Sequence, residues 1–176
     1  LDELRKLAAD MFGGDADRFL ELCWADSGDL ERTLEAASVS TIEYAIRVAS
    51  RASAESGLGT PLYYYVFDAE IPGWDNPGTF HSVDLWFFFE TLAKCWRPFT
   101  GKHYDLARQM CNYWAHFIRT GDPNGDDSTG EKLPEWAPYT EEAPYAMVFG
   151  DRSEFVRKQP DELVKFLVDE YFKRKA

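Results

Sequence analysis

Apolar residues recur at helical spacing at the start of the chain. Leu1, Leu4, Leu7, Ala8, Met11 and Phe12 form one stripe, and Gly13-Gly14 end it. Asp15 to Cys23 predicts a short second helix. A third is expected to open near Ser27-Gly28-Asp29, with Ser27 as N-cap. A fourth carries Ile42, Ala45, Val48, Ala49 and Ala52 on one face and stops before Gly57 and Gly59. The period then changes. Pro61 to Phe67, PLYYYVF, is a continuous apolar, aromatic and β-branched run of strand length, and such runs mark strands buried on both faces of a parallel sheet.

Asp68 to Gly78 reads as a loop, with Pro72, Gly73, Asn76 and Pro77. The segment after it, SVDLWFFFETL, predicts a short helix from Ser82 with Asp84 in its first turn. The clearest helix follows. Leu106, Met110, Trp114 and Phe117 make one stripe flanked by Tyr113 and Ile118, with Gly121 at its end and Pro123 preventing continuation. EWAPYT and YAMVF predict short extended pieces. Pro160-Asp161-Glu162 opens a last helix with Leu163, Phe166, Leu167 and Tyr171 inward. No internal repeat interrupts this order.

Composition narrows the possibilities. The 176 residues suffice for one domain with a real core, and the length equally permits part of a larger one. Aromatic residues make up 16%, ample for a packed interior or an aromatic-lined pocket. The formal net charge of −12 weighs against nucleic acid or an anionic membrane as partner, since both need a cationic face. No stretch approaches the roughly 18 consecutive apolar residues of a membrane span. The start at Leu1 has no signal-peptide layout and reads as a cut inside a longer protein, which leaves localisation open. Cys23, Cys95 and Cys111 are irregularly spaced, and so neither a disulfide framework nor a zinc ribbon. They read as small buried hydrophobes.

One titratable group stands out. His81 follows the turn-prone loop and leads straight into the aromatic run. Two readings compete: an imidazole that packs and hydrogen-bonds at a helix start, and a general base delivered by a loop. In α/β sheets, reactive groups sit on loops beyond the carboxyl ends of strands, and His81 is placed that way after Phe67. His103 and His116 read as solvated or interface histidines, and Glu141-Glu142 as a solvated face.

Three separated stretches carry a resemblance. FHSVDLWFFFETL, YWAHFIRTGDPNG and LPEWAPYT together resemble the C-terminal part of type B carboxylesterases, the group that includes para-nitrobenzyl esterases and cholinesterases. The family's histidine loop, G-x-x-H-x-x-[DE]-L, is matched by Gly78, His81, Asp84 and Leu85. Its helix end, W-x-x-F-x-x-T-G-D-P-N, is matched by Trp114, Phe117, Thr120, Gly121, Asp122, Pro123 and Asn124. The short element after it is matched by Trp136, Pro138 and Tyr139, with Ala137 intervening where many relatives have proline directly after tryptophan. Glu90 stands where the family often has glycine.

The resemblance implies the C-terminal portion of an α/β-hydrolase fold, helix-rich with few strands. Residues 1–60 would be the variable helical region, and 61–176 the last sheet strands, the histidine loop and the C-terminal helices. It implies a Ser-Glu-His triad in which His81 is the histidine, with Asp84 supporting the active-site hydrogen bonds. Asp84 as an acid at a helix N-terminus is the competing reading. Trp86, Phe87 and Phe88 would be core and pocket wall. The implied substrate is a small-molecule carboxylic ester, with no cofactor and no metal. The sequence departs from the family by absence: no G-x-S-x-G occurs, neither around Ser27 nor around Ser53, and no oxyanion loop is present. The family's acid is expected before Leu1, and neither Asp68 nor Asp75 is assigned its role. The chain by itself is therefore expected to be inactive and to self-associate.

Overall fold

The computed structural model describes residues 2–25, 29–158 and 160–175. They form two compact units, Pro61–Lys158, and Leu1–Thr60 together with Gln159–Ala176.

The second of these is helical. It holds α1 (Asp2–Phe12), α2 (Ala16–Ala25), α3 (Leu30–Ser56) and α6 (Glu162–Lys173). A 3₁₀ turn, Gly13–Asp15, joins α1 to α2, and Gly13 takes the left-handed φ of 54° that its lack of a side chain permits. The stripe expected on α1 is narrower than its spacing: Ala8 and Phe12 are buried and Leu4 half-buried, but Leu7 and Met11 are exposed, and Leu1 lies outside the described residues. Phe12 packs on Phe19 of α2 at 4.6 Å and on Phe166 of α6 at 5.3 Å. Asp161 caps α6, its carboxylate accepting from the Val164 amide at 2.7 Å.

The expected third and fourth helices are one helix of 27 residues. Between Leu30 and Ser56 there is no glycine or proline, so nothing stops the backbone ladder. The expected apolar face is also turned. Ala45, Ala49 and Ala52 are exposed, and Arg47 and Ser50 are buried. Arg47 tolerates burial because Glu43, one turn back, accepts from its guanidinium. Ser27 and Gly28, and the side chain of Ile42, lie outside the described residues.

The other unit carries a three-stranded sheet ordered β1 (Tyr65–Phe67), β2 (Tyr145–Phe149), β3 (Ser153–Arg157). β1 runs parallel to β2 with Tyr65 opposite Met147, and β2 runs antiparallel to β3. β3, SEFVR, lacks the apolar run that signals a strand, and pairing with β2 creates it. The expected strand Pro61 to Phe67 contracts to three residues and is half-buried, because β1 lies at the edge of this sheet. Its alternation is as expected. Tyr63, Tyr65 and Phe67 pack on the core, whereas Tyr64 meets Tyr139 on the other face. EWAPYT forms no strand. Trp136 is instead buried, its indole donating to the Tyr64 carbonyl at 3.1 Å and its backbone held by Asn124.

Helix α5 (Gly101–Thr120) begins one turn before Tyr104, where Thr100 and His103 form a capping box. His103 is thereby buried rather than solvated, its Nδ1 accepting from the Thr100 amide at 2.9 Å. Leu106, Met110 and Tyr113 form the buried stripe, each contributing about 1.5–3 kcal/mol by leaving water. Trp114 is half-buried, and Phe117 and Ile118 are exposed. Gly121 ends the helix at φ 78°. Among the described residues no helix is long and apolar enough to cross a membrane.

Candidate active site

The loop that leaves the carboxyl end of β1 runs from Asp68 to Val83. Its ends are fixed by burial of Ala69, Ile71 and Val83, and by the Thr79 hydroxyl donating to the Ala69 carbonyl at 3.1 Å. Asp75 is engaged by both Nη atoms of Arg97, at 3.0 and 2.9 Å. The loop closes in a turn in which the Val83 amide donates to Phe80 and the Leu85 amide to Ser82. α4 (Asp84–Phe88) follows. It starts two residues later than expected because Ser82 adopts φ 66°, outside helical space.

His81 is exposed at this turn. Its Nδ1 lies 2.7 Å from the Ser82 hydroxyl, so one ring nitrogen is tied to its neighbour and the other end of the ring is directed elsewhere. Asp84 does not join it. Its carboxylate accepts from the Tyr65 hydroxyl at 2.8 Å, linking α4 to β1. Burial, and then that hydrogen bond to the Asp84 carboxylate, push the Tyr65 phenol far above its ordinary value, so Tyr65 stays a donor. Tyr65 is the partner that sequence reasoning missed. Alternation placed it on the core face, and only the sheet brings that face to Asp84.

The three aromatic side chains after Asp84 separate. Phe87 and Phe88 are 0% and 4% exposed, Phe87 packed on Phe67 at 4.9 Å and Phe88 on Trp114 at 4.4 Å. Both are core. Trp86 is half-buried and meets Phe80 edge-on at 5.8 Å. Among the described residues no group of three or more His, Cys, Asp or Glu side chains is gathered in the manner of a metal site.

An imidazole on a loop past a parallel strand, ahead of a short aromatic helix, is a specific arrangement, and the comparison with known families decides it. The model of the carboxylesterase family matches residues 11–166. The chain belongs to the carboxylesterase family. Acetylcholinesterase from Gallus gallus is 34% identical over 87 residues, which is 47% of this chain and 11% of that protein. Carboxylesterase 4A from Bos taurus is 34% identical over 96 residues, 49% of this chain and 16% of that protein. Among solved structures, an esterase from anaerobic Clostridium hathewayi superposes with a TM-score of 0.54 at 22% identity, over 98% of this chain and 32% of that one. That likeness shows the α/β-hydrolase fold. The family chain thus spans a minor part of the length of the relatives it matches.

Proposed function

We propose that this carboxylesterase-family chain supplies the histidine of a Ser-Glu-His triad in a serine carboxylic-ester hydrolase. The observation that carries the proposal is His81, exposed on the loop beyond β1 in a chain of this family. Its substrate is a small-molecule carboxylic ester. A serine hydroxyl is a weak nucleophile until a placed imidazole removes its proton. His81 takes that proton at one ring nitrogen as the oxygen attacks the ester carbonyl. It then gives the proton to the departing alcohol, and the cycle repeats with water. The other nitrogen, which here meets Ser82, is the one a carboxylate would hold to fix the tautomer. Asp84, bonded to Tyr65 and not to His81, acts in this reading only by anchoring α4 to β1 behind the histidine turn. Trp86 remains the ring placed to border substrate, and no metal or organic cofactor takes part.

In this reading the nucleophile, the acid and the oxyanion donors come from residues outside these 176, since no G-x-S-x-G occurs in them. The purified chain should therefore leave a nitrophenyl ester untouched. Joined to the missing elements, it should turn the ester over, and His81→Ala should lower kcat by on the order of 10⁴–10⁶. Turnover by the 176-residue chain, abolished by His81→Ala, would overturn the assignment of the nucleophile. Near-normal kcat of His81→Ala in the joined protein would overturn the role of His81. That second outcome favours the other reading, a non-catalytic hydrolase-like segment that assembles through the edge strand β1.

A further inference from the structure

We propose that Arg97 is a positioning residue for His81, clamping both halves of the loop that presents it. The inference rests on the triad reading for its purpose, and on the loop alone for its geometry. Arg97 lies in a different segment from the loop, just after the 3₁₀ turn Leu92–Lys94. Its side chain is only 8% exposed. Nη1 donates to the Pro72 carbonyl at 3.1 Å and to Asp75 Oδ1 at 3.0 Å, and Nη2 donates to Asp75 Oδ2 at 2.9 Å. This is the two-pronged match of guanidinium to carboxylate that lysine cannot make.

The clamp is built flush against the backbone. A Cβ on Gly73 would fall 2.3 Å from Asp75 Oδ1 and 2.4 Å from Arg97 Nη1, so only glycine lets the pair close there. The same guanidinium lies over the rings of Trp96 at 4.7 Å and Phe80 at 5.8 Å. Phe80 directly precedes His81 and meets Trp86 edge-on. One cation thus holds the early loop through Pro72 and Asp75, and the late loop through Phe80. Between these points the backbone passes through left-handed residues, Asn76 at φ 42° and Gly78 at φ 60°. Arg97 Nε is buried without a partner, so the clamp's hydrogen bonds run through the two Nη atoms alone. The pairing also holds the Asp75 carboxyl below its ordinary value, so the clamp stays charged into mild acid.

The chain's histidines are three in number, which makes a local readout available. Imidazole NMR signals of His81, His103 and His116 would be followed in Arg97→Met and Gly73→Ala, with hydrogen exchange at the Val83 and Leu85 amides. Both variants should move the His81 signal most, with a smaller change at His103, whose Nε2 lies 3.3 Å from the Glu70 carbonyl of the same loop, and leave His116 unmoved. They should speed exchange at those two amides by on the order of tenfold, with α5 protected. Arg97→Lys, which keeps the charge without the fork, should behave like Arg97→Met, and it serves where the methionine variant fails to fold. His81 signals unchanged in the variants, or all three histidines moving together with a fall in Tm, would overturn the proposal. Neither result depends on whether His81 is catalytic, which the kinetics of His81→Ala decide separately.

Discussion

At the scale of single residues, the most heavily bonded carboxylate in the Pro61–Lys158 unit is not at the histidine loop but beneath the turn after α5. Asp127 is buried, and it accepts from the Thr129 hydroxyl, from the Thr129 amide at 2.7 Å, from the Glu131 amide at 3.3 Å and from Arg108 at 3.1 Å. The Thr129 hydroxyl first, then the Thr129 amide, Arg108 and the Glu131 amide, hold its carboxyl down at about 2. An unfolded aspartate titrates near 3.9, so the network contributes fully above that value and is lost as pH falls from about 4 toward 2. Asp127→Asn should lower Tm at pH 7 and flatten its fall between those two pH values, checked by thermal unfolding across pH. A wild-type Tm that falls no more steeply there than the variant's would refute this. The contrast with the histidine loop explains what could be read beforehand. His81 and Asp84 could be named as candidates because their spacing is local. Tyr65, Arg97 and Asp75 were not, since their pairings join segments far apart in sequence, and spacing along a chain carries no record of which strand face meets which loop.

At the scale of elements, the helices with strong punctuation were the legible ones. α1, α5 and α6 have clear stripes with a glycine or an Asp cap at one end, and the structure has them with boundaries shifted by a turn or less. α3 merged two expectations because polar, weak helix formers without glycine or proline are not stops. β3 was missed because its sequence is polar and its strand character comes from pairing with β2. One element end retains a mismatch. Glu90, directly after α4 and Phe89, sits at φ 48°, and this is the position where related sequences suggested glycine. A side chain there costs roughly 1–2 kcal/mol, part of which glycine returns through the entropy of the unfolded chain. Glu90→Gly should therefore stabilise the protein by about 1 kcal/mol, seen as a higher denaturant midpoint at unchanged slope. A lowered midpoint would mean that the Glu90 side chain makes a compensating contact.

At the scale of the whole molecule, sheet and charge pull in opposite directions. β1 exchanges hydrogen bonds with β2 along one side: the Met147 amide donates to the Tyr64 carbonyl, and the Asp68 amide donates to the Phe149 carbonyl. In a parallel pair, alternate residues face the partner strand, so the N–H and C=O groups of Tyr65 and Phe67 point to the opposite edge. An unpaired edge is a template for another chain, and exposed Trp74, Phe89 and Trp96 add apolar surface in the same unit. The net charge of −12 opposes association, but salt screens dispersed charge over about 8 Å and leaves a strand edge unprotected. We therefore expect the 176-residue chain to form a dimer or larger assembly at micromolar concentration, with Leu62 to Phe67 at the contact. Val66 lies on the face away from Tyr65 and Phe67, so Val66→Lys blunts the edge with a charge while leaving the core face intact. Light scattering should report a larger particle for the wild type and a shift toward monomer for the variant. A wild-type monomer, or an assembly indifferent to Val66→Lys, would place the contact elsewhere and leave the edge of β1 without that role.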